Sequence, residues 1–242
     1  MNIRSSLVGS LTCLLLFLPA PAPASDGPVE DSVTVSAEYA YLPLVPEPRQ
    51  KARPLALFGA KFRAAELGAK FLSRRGLLAH FGDRQKEILC LAAERIEPEI
   101  LEENFAPETG EFVMRIRARI EALDFVRAEN ADLELEKKES RLSFREEMEQ
   151  PVPPGISPGA ALSRAYRYLR QKQWRIAIIY LDHLQRKYPG WSEVYLAKAI
   201  GYYSLNQTAR MTDALEIACR LNNQEACDDM RGLGLVKVPG TP

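Results

Sequence analysis

Few residues in this chain are placed to do chemistry. The two histidines, His80 and His183, stand far apart and show no metal-ligand spacing. No glycine-rich phosphate loop, nucleophile elbow or paired-carboxylate motif is present, and the many glutamates belong to charged helices or strands. The expected protein is therefore not an enzyme and needs no cofactor or metal. Cys90 lies in an apolar helical segment without the adjacent cationic group that activates a thiol, so it reads as a buried hydrophobe. Arg115, Arg117 and Arg119 alternate on one strand face. They form either a basic strip for an anionic envelope polymer or lipid, or a wet sheet face balanced by Glu97, Glu99, Glu102 or Glu103. The wet face is favoured, because charge rows on strands usually meet water.

The elements around these residues follow from periodicity. Ser32 to Tyr41 alternates strictly, with Val33, Val35, Ala37, Tyr39 and Tyr41 on one face of a half-buried strand. Leu42 to Pro54 carries four prolines and reads as a loop, with Pro54 in the first turn of the following helix. In that helix Leu57, Ala60, Ala64, Leu67 and Phe71 form one apolar row, and Phe58, Phe62, Ala65, Ala69 and Leu72 a second. So wide a stripe suits a helix lying flat across a sheet, ended or loosened by Gly76. Asp83 is placed to cap a short helix from Arg84 to Ala93 with Ile88, Leu89 and Ala92 inward. Glu99 to Phe105 is extended, Pro107 to Gly110 turns, and Glu111 to Ala122 alternates again through Phe112, Met114, Ile116, Ala118, Ile120 and Ala122. The order predicts an α+β domain over 29–125, with one helical layer on an antiparallel sheet.

Residues 126–156 form a charged helix and a proline-rich linker. Leu135, Leu142 and Glu149 do not sustain a heptad, and Pro151 to Gly155 stops any helix. Residues 157–235 follow as an all-α helical-repeat domain, and 236–242 as a tail. In the first unit Ala165, Tyr168, Trp174, Ala177, Leu181, Leu184 and Pro189 keep the order and spacing of the packing positions of the tetratricopeptide repeat, which this segment resembles. The second unit, from Ser192, offers Tyr195, Ala199, Tyr202, Leu215 and Ala218. It departs from the pattern at Met211, where a small residue is usual, and at Asn223, where proline is usual. Such helical pairs present a groove to another protein. Arg164, Arg167, Tyr168, Lys198 and Tyr202 are the candidate contributors to a partner surface. Two units and a terminal helix fall short of an independent stack, so they dock on the first domain or the charged helix, or cap themselves by oligomerising.

The second unit ends with Ala218-Cys219, and Cys227 follows after seven further residues, which is similar to the Sel1-type repeats of secreted cysteine-rich proteins. That resemblance implies a Cys219–Cys227 bridge from the end of one helix to the start of the next. The first domain resembles the small α+β domain found in the flagellar assembly protein T and in outer-membrane-associated lipoproteins. Glu38-Tyr39, the segment Ala56 to Gly68 and the run Phe112 to Ile120 carry the likeness. Members of that family are non-enzymatic assembly or envelope components.

Arg4, the apolar run Leu7 to Leu18 and the small residues Ala22 and Ala24 have the layout of a secretory signal peptide over 1–24, cleaved after Ala24. Its apolar core is short for a membrane anchor. Cys13 is a poor lipidation site, because the apolar stretch continues past it; a lipoprotein is the minor alternative. The whole chain balances 32 Lys and Arg against 32 Asp and Glu, which offers no electrostatic case for nucleic acid. No later segment is apolar enough to span a bilayer, so a periplasmic or otherwise extracytoplasmic address is expected. The leading expectation is an exported adaptor that binds another envelope protein through its helical pairs. The alternative is a structural accessory of an envelope assembly such as the flagellar motor. Neither the partner nor the oligomeric state can be read from the sequence.

Overall fold

A computed structural model describes residues 31–44, 46–139, 152 and 155–235. The expected signal peptide with Cys13, most of the proline-rich linker and the tail over 236–242 lie outside the described residues. Among those described, one three-stranded antiparallel sheet is joined by eight α-helices, a mixed α+β architecture with a helical C-terminal part. The strands are β1 (Ser32–Tyr41), β2 (Glu99–Ala106) and β3 (Glu111–Glu121), in the order β1-β3-β2. The helices are α1 (Arg49–Ser73), α2 (Gln85–Arg95), α3 (Ala122–Glu139), α4 (Pro158–Arg170), α5 (Trp174–Lys187), α6 (Ser192–Ser204), α7 (Thr208–Arg220) and α8 (Gln224–Gly232).

β3 is the central strand because its inward row, Phe112, Met114, Ile116, Ala118 and Ile120, is buried in unbroken alternation. Along β1 the pairing runs from Ser32 opposite Glu121 to Tyr41 opposite Phe112. α1 lies across the buried face. Close approach needs Gly59, where an added Cβ would fall 2.4 Å from the Tyr39 ring, and Gly68, where it would meet Ile120.

Three details differ from the sequence expectation. α1 begins at Arg49, so Pro54 sits inside the helix. Pro54 is exposed, and the carbonyl it leaves unpaired, that of Gln50, belongs to an exposed residue where water can serve it. Of the two rows on α1, the second is the fully buried one, whereas Leu67 of the first is exposed. Asp83 falls in a one-turn 3₁₀ helix, Gly82–Arg84, and makes no side-chain cap for α2. α3 follows β3 without a loop, taking Ala122 out of the strand. The Asp124 carboxylate accepts the Glu121 N–H at 3.0 Å and fixes that entry.

The helical half repeats a turn. After α4, α6 and α7 a left-handed residue stops the helix: Lys172, Asn206 and Asn222. Each turn closes with the same pair of bonds; Gln173 N–H reaches Tyr168 O and Lys172 N–H reaches Leu169 O in the first. Gln207 N–H to Tyr202 O and Asn223 N–H to Ala218 O repeat the longer bond.

These helices do not stand apart from the sheet. One apolar core runs from Ala37 through α1, α2 and α4 to Ala197, and a smaller one gathers Tyr195, Leu196, Ala199, Leu215, Ala226 and Met230. α6 serves both, with Val194 and Ala197 facing the first and Leu196 and Ala199 the second. The docking left open by the sequence is therefore made within the chain, by α1 and α2.

Candidate functional site

Several polar contacts fix that docking. Glu94 of α2 accepts the N–H of Gly159 at 2.6 Å, and Ser157 caps the same helix end through Ala160 N–H. The first turn of α4 is thus satisfied partly by another element's carboxylate, which also meets the positive end of the helix dipole. Arg170, at the other end of α4, bonds Glu87 at 2.8 Å and Glu136 at 3.3 Å. Lys86 reaches across to Glu225 of α8 at 2.5 Å. Asp132 of α3 is fully buried between Arg84 at 2.7 Å and Arg167 at 2.6 Å.

At the start of α6 the Tyr39 hydroxyl donates to Glu193 at 2.9 Å, and Ser192 donates to the same oxygen at 3.0 Å. Burial pushes the Glu193 carboxyl above its ordinary range, against the pull of these donors and of Arg63. A raised folded value means that the contribution is fully present below about 4.5, the unfolded reference, and is lost as pH rises through the folded value. Glu193→Gln is expected to gain on the wild type as pH rises and to run parallel to it in acid. Thermal melts of both proteins across that range check the sign. A wild type that gains on the variant with rising pH would show the ionised form to be the favoured one.

The residues singled out in the sequence fall in different places. Arg167 is 1% exposed and held by Asp132, and Tyr168 is buried edge-on to Tyr180 with ring centroids 5.7 Å apart. Their expected place on a partner surface is corrected: α3 covers Arg167, and the α4–α5 packing takes Tyr168. Arg164 lies 6.0 Å from the Tyr180 ring. Lys198 is nearly buried, bonding Asp182 at 2.7 Å and Gln185 at 2.5 Å. Tyr202 is half-buried between Lys198 and Arg210, each under 6 Å from its ring, beside a cleft of about 190 Å³. Of the candidates, Arg164 and Tyr168 meet at the Tyr180 ring, and Lys198 and Tyr202 lie together.

The arginine row lies on the open face of the sheet and is paired as a wet face. Arg115 meets Glu38 at 3.2 Å and Glu102 at 3.3 Å, Arg117 meets Glu99 at 3.2 Å, and Arg119 meets Glu121 at 3.3 Å. Glu103 points the other way, to Arg49 and Arg53. Glu38 and Glu121 take the places expected of Glu97 and Glu103.

Cys90 is fully buried. Burial raises its thiol far more than Lys86, one helical turn away, lowers it. His80 is 3.3 Å from Glu129. His183 accepts from Arg186 at 2.7 Å, and partial burial and that cation lower its pKa. Among the described residues, no three His, Cys, Asp or Glu side chains converge as a metal would require.

Cys219 and Cys227 are at disulfide distance, with Sγ–Sγ 1.98 Å and Cα–Cα 4.8 Å. They link α7 to α8. With the bond formed, unfolded but unreduced protein lacking residues 1–24 should show one free thiol, that of Cys90; three would contradict it. Replacing both cysteines by serine should cost about 2–3 kcal/mol for so short a loop, read from chemical denaturation.

One site was missed in the sequence. Leu196, Ala199, Ile200 and Tyr203 of α6, Met211 and Leu215 of α7, and Gly232 and Leu233 just inside and after α8 line an apolar groove of about 440 Å³. Asp228 and Asp229 edge it, and Tyr203 stands 70% exposed at its lip. Its signal was present but ambiguous: 196, 199, 200 and 203 follow helical spacing, which marks a core face as readily as an open one. Among the described residues no helix is long and apolar enough to cross a membrane. No family model, curated protein or solved structure matches this chain.

Proposed function

We propose that the protein is an exported, non-enzymatic adaptor that binds another protein of the cell envelope through the surface formed by α6, α7 and α8. The observation that carries this function is the apolar groove at the end of the helical stack, left open with Tyr203 and Leu233 exposed. Contiguous exposed apolar surface on a folded chain marks an interaction site. α4 and the start of α6 are already covered, since α1 and α2 pack there. The recurrence of the Tyr168–Lys172 turn as Tyr202–Asn206, 34 residues on, supports a tetratricopeptide-like build. The signal-like first residues and the cysteine pair, which an oxidising compartment would keep bonded, support an extracytoplasmic address.

The test is a photo-reactive residue placed at Tyr203 and, separately, at Arg117 on the open sheet face, in cells that make the protein. Covalent adducts with another protein are expected from Tyr203. Adducts confined to Arg117, or none at either position, would contradict an adaptor working through the helices. A structural role in a larger assembly is favoured by one observation, the outer edge of β2, where Ile100 and Leu101 are exposed. Sedimentation of envelope extracts at a large defined mass would support that role.

A further inference from the structure

The groove adjoins a smaller crevice walled by helices of the first domain. Leu196 lines both the groove and the adjoining crevice, where α1 and α2 meet α6 and α8 through Phe62, Lys86, Glu193 and Glu225. α2 enters that crevice with its N-terminal end, and Lys86, its second residue, pairs with Glu225 in the first turn of α8. Through Leu196 the groove adjoins this crevice, and it reaches the end of α8 at Gly232 and Leu233. One turn past Glu225, Asp228 and Asp229 repeat the acidic edge.

We propose that this groove receives a basic amphipathic helix from another protein, laid along α6 and the end of α8. The proposal rests on the adaptor function above and specifies the partner's chemistry. Three observations support it. Leu196, Ala199, Ile200 and Tyr203 run about two helical turns along the groove, the first two as its nearly buried floor and Ile200 and Tyr203 as its open side, where apolar side chains of an incoming helix can seat. The groove adjoins, through Leu196, the crevice where Lys86 of α2 meets Glu225 of α8. The edge is acidic: of Glu225, Asp228 and Asp229 on α8, Glu225 is paired with Lys86 and Asp228 with Arg231, which leaves Asp229 without an ion pair among the described residues. Asp229 is held above its ordinary range by partial burial, then by Glu225 and Asp228, and a cation arriving beside it would relieve that repulsion.

The probe is a fluorescent synthetic helix of leucine and lysine, about 18 residues long so that it folds alone, with leucines at i, i+3, i+4 and i+7. A twin carries glutamate in place of lysine. Anisotropy with the purified protein should show the lysine helix binding at least about tenfold more tightly. Tyr203→Glu with Leu233→Glu should weaken it by at least about tenfold, and Asp229→Lys should erase the preference between the twins. All three positions are exposed, so the variants should melt like the wild type. Equal binding of the twins, or binding indifferent to these substitutions, would overturn the proposal. So would a dimer dissolved by Tyr203→Glu, which would make a second copy the occupant, or binding seen only after removal of residues 236–242, which would make the chain's own tail the occupant. Cellular adducts from Tyr203 to a protein that presents no basic helix would leave the adaptor function standing and remove this partner.

Discussion

Replacing Trp191 with alanine should lower stability by about 3–5 kcal/mol and unfold the sheet and the helices in one transition. Trp191 is the largest fully buried side chain, at the turn between α5 and α6. It stands edge-on to Phe58 of α1, with centroids 5.7 Å apart, and to Tyr188 at 5.6 Å. Its indole N–H has no hydrogen-bond partner among the described residues, so the loss is one of packing and not of a polar bond. The backbone beside it cannot close the hole: a Cβ at Gly190 would lie 2.5 Å from Pro43 Cα, so the turn is already pressed against the segment after β1. Trp191→Phe, which keeps an aromatic edge in place, should cost much less. Denaturant unfolding followed by far-ultraviolet dichroism and by the fluorescence of the remaining tryptophan, Trp174, is the check. Coincident curves are expected, displaced together by the alanine variant. A first transition confined to the helices would contradict a shared core.

Asp132→Ala should cost a similar amount, about 3–5 kcal/mol, for a different reason. The carboxylate is fully buried, and its removal takes a 2.6 Å ion pair from Arg167, whose side chain is 2% exposed. Arg84 loses less, because Glu129 still stands 3.5 Å away. The cost is expected to come mainly from the lost Asp132–Arg167 pair, and a compensating change should recover it. Asp132→Leu combined with Arg167→Met is expected to regain most of the loss, since a buried ion pair is often no better than apolar residues of similar volume. A double-mutant cycle measured by chemical denaturation gives the coupling directly. Additive losses would show that the Asp132–Arg167 contact does not carry the energy.

The strands were legible because one face of the sheet is buried and the other is wet, so that alternation in Ser32–Tyr41 and Glu111–Glu121 maps directly onto burial. The helical pairs were legible for the same kind of reason. Ala165, Ala177, Leu181 and Leu184 mark a periodic apolar stripe, and their burial is complete. The start of α1 was not legible, because four prolines outweigh helical spacing in a local reading, while an exposed proline with solvent at its back is tolerated. Arg167 and Tyr168 were placed on a partner surface because charge and hydroxyl suggest exposure. The burial of Arg167 depends on α3, which no window of residues around it reports, whereas Tyr168 stood also among the packing positions and is buried by α5, the next helix. The groove was hidden for the converse reason. Leu196, Ala199 and Ile200 have the pattern of a core face, and only the end of the stack leaves part of that face uncovered.

The division of the helical stack into a face covered by its own chain and a face left for a partner is tested most directly by amide hydrogen exchange on the free protein and on its cross-linked or peptide-bound complex. Added protection should be confined to Leu196–Tyr203 and Asp228–Leu233, with α2 and the strands unchanged. Protection appearing on Arg115–Arg119, or exchange of α2 accelerating as it is displaced, would contradict it.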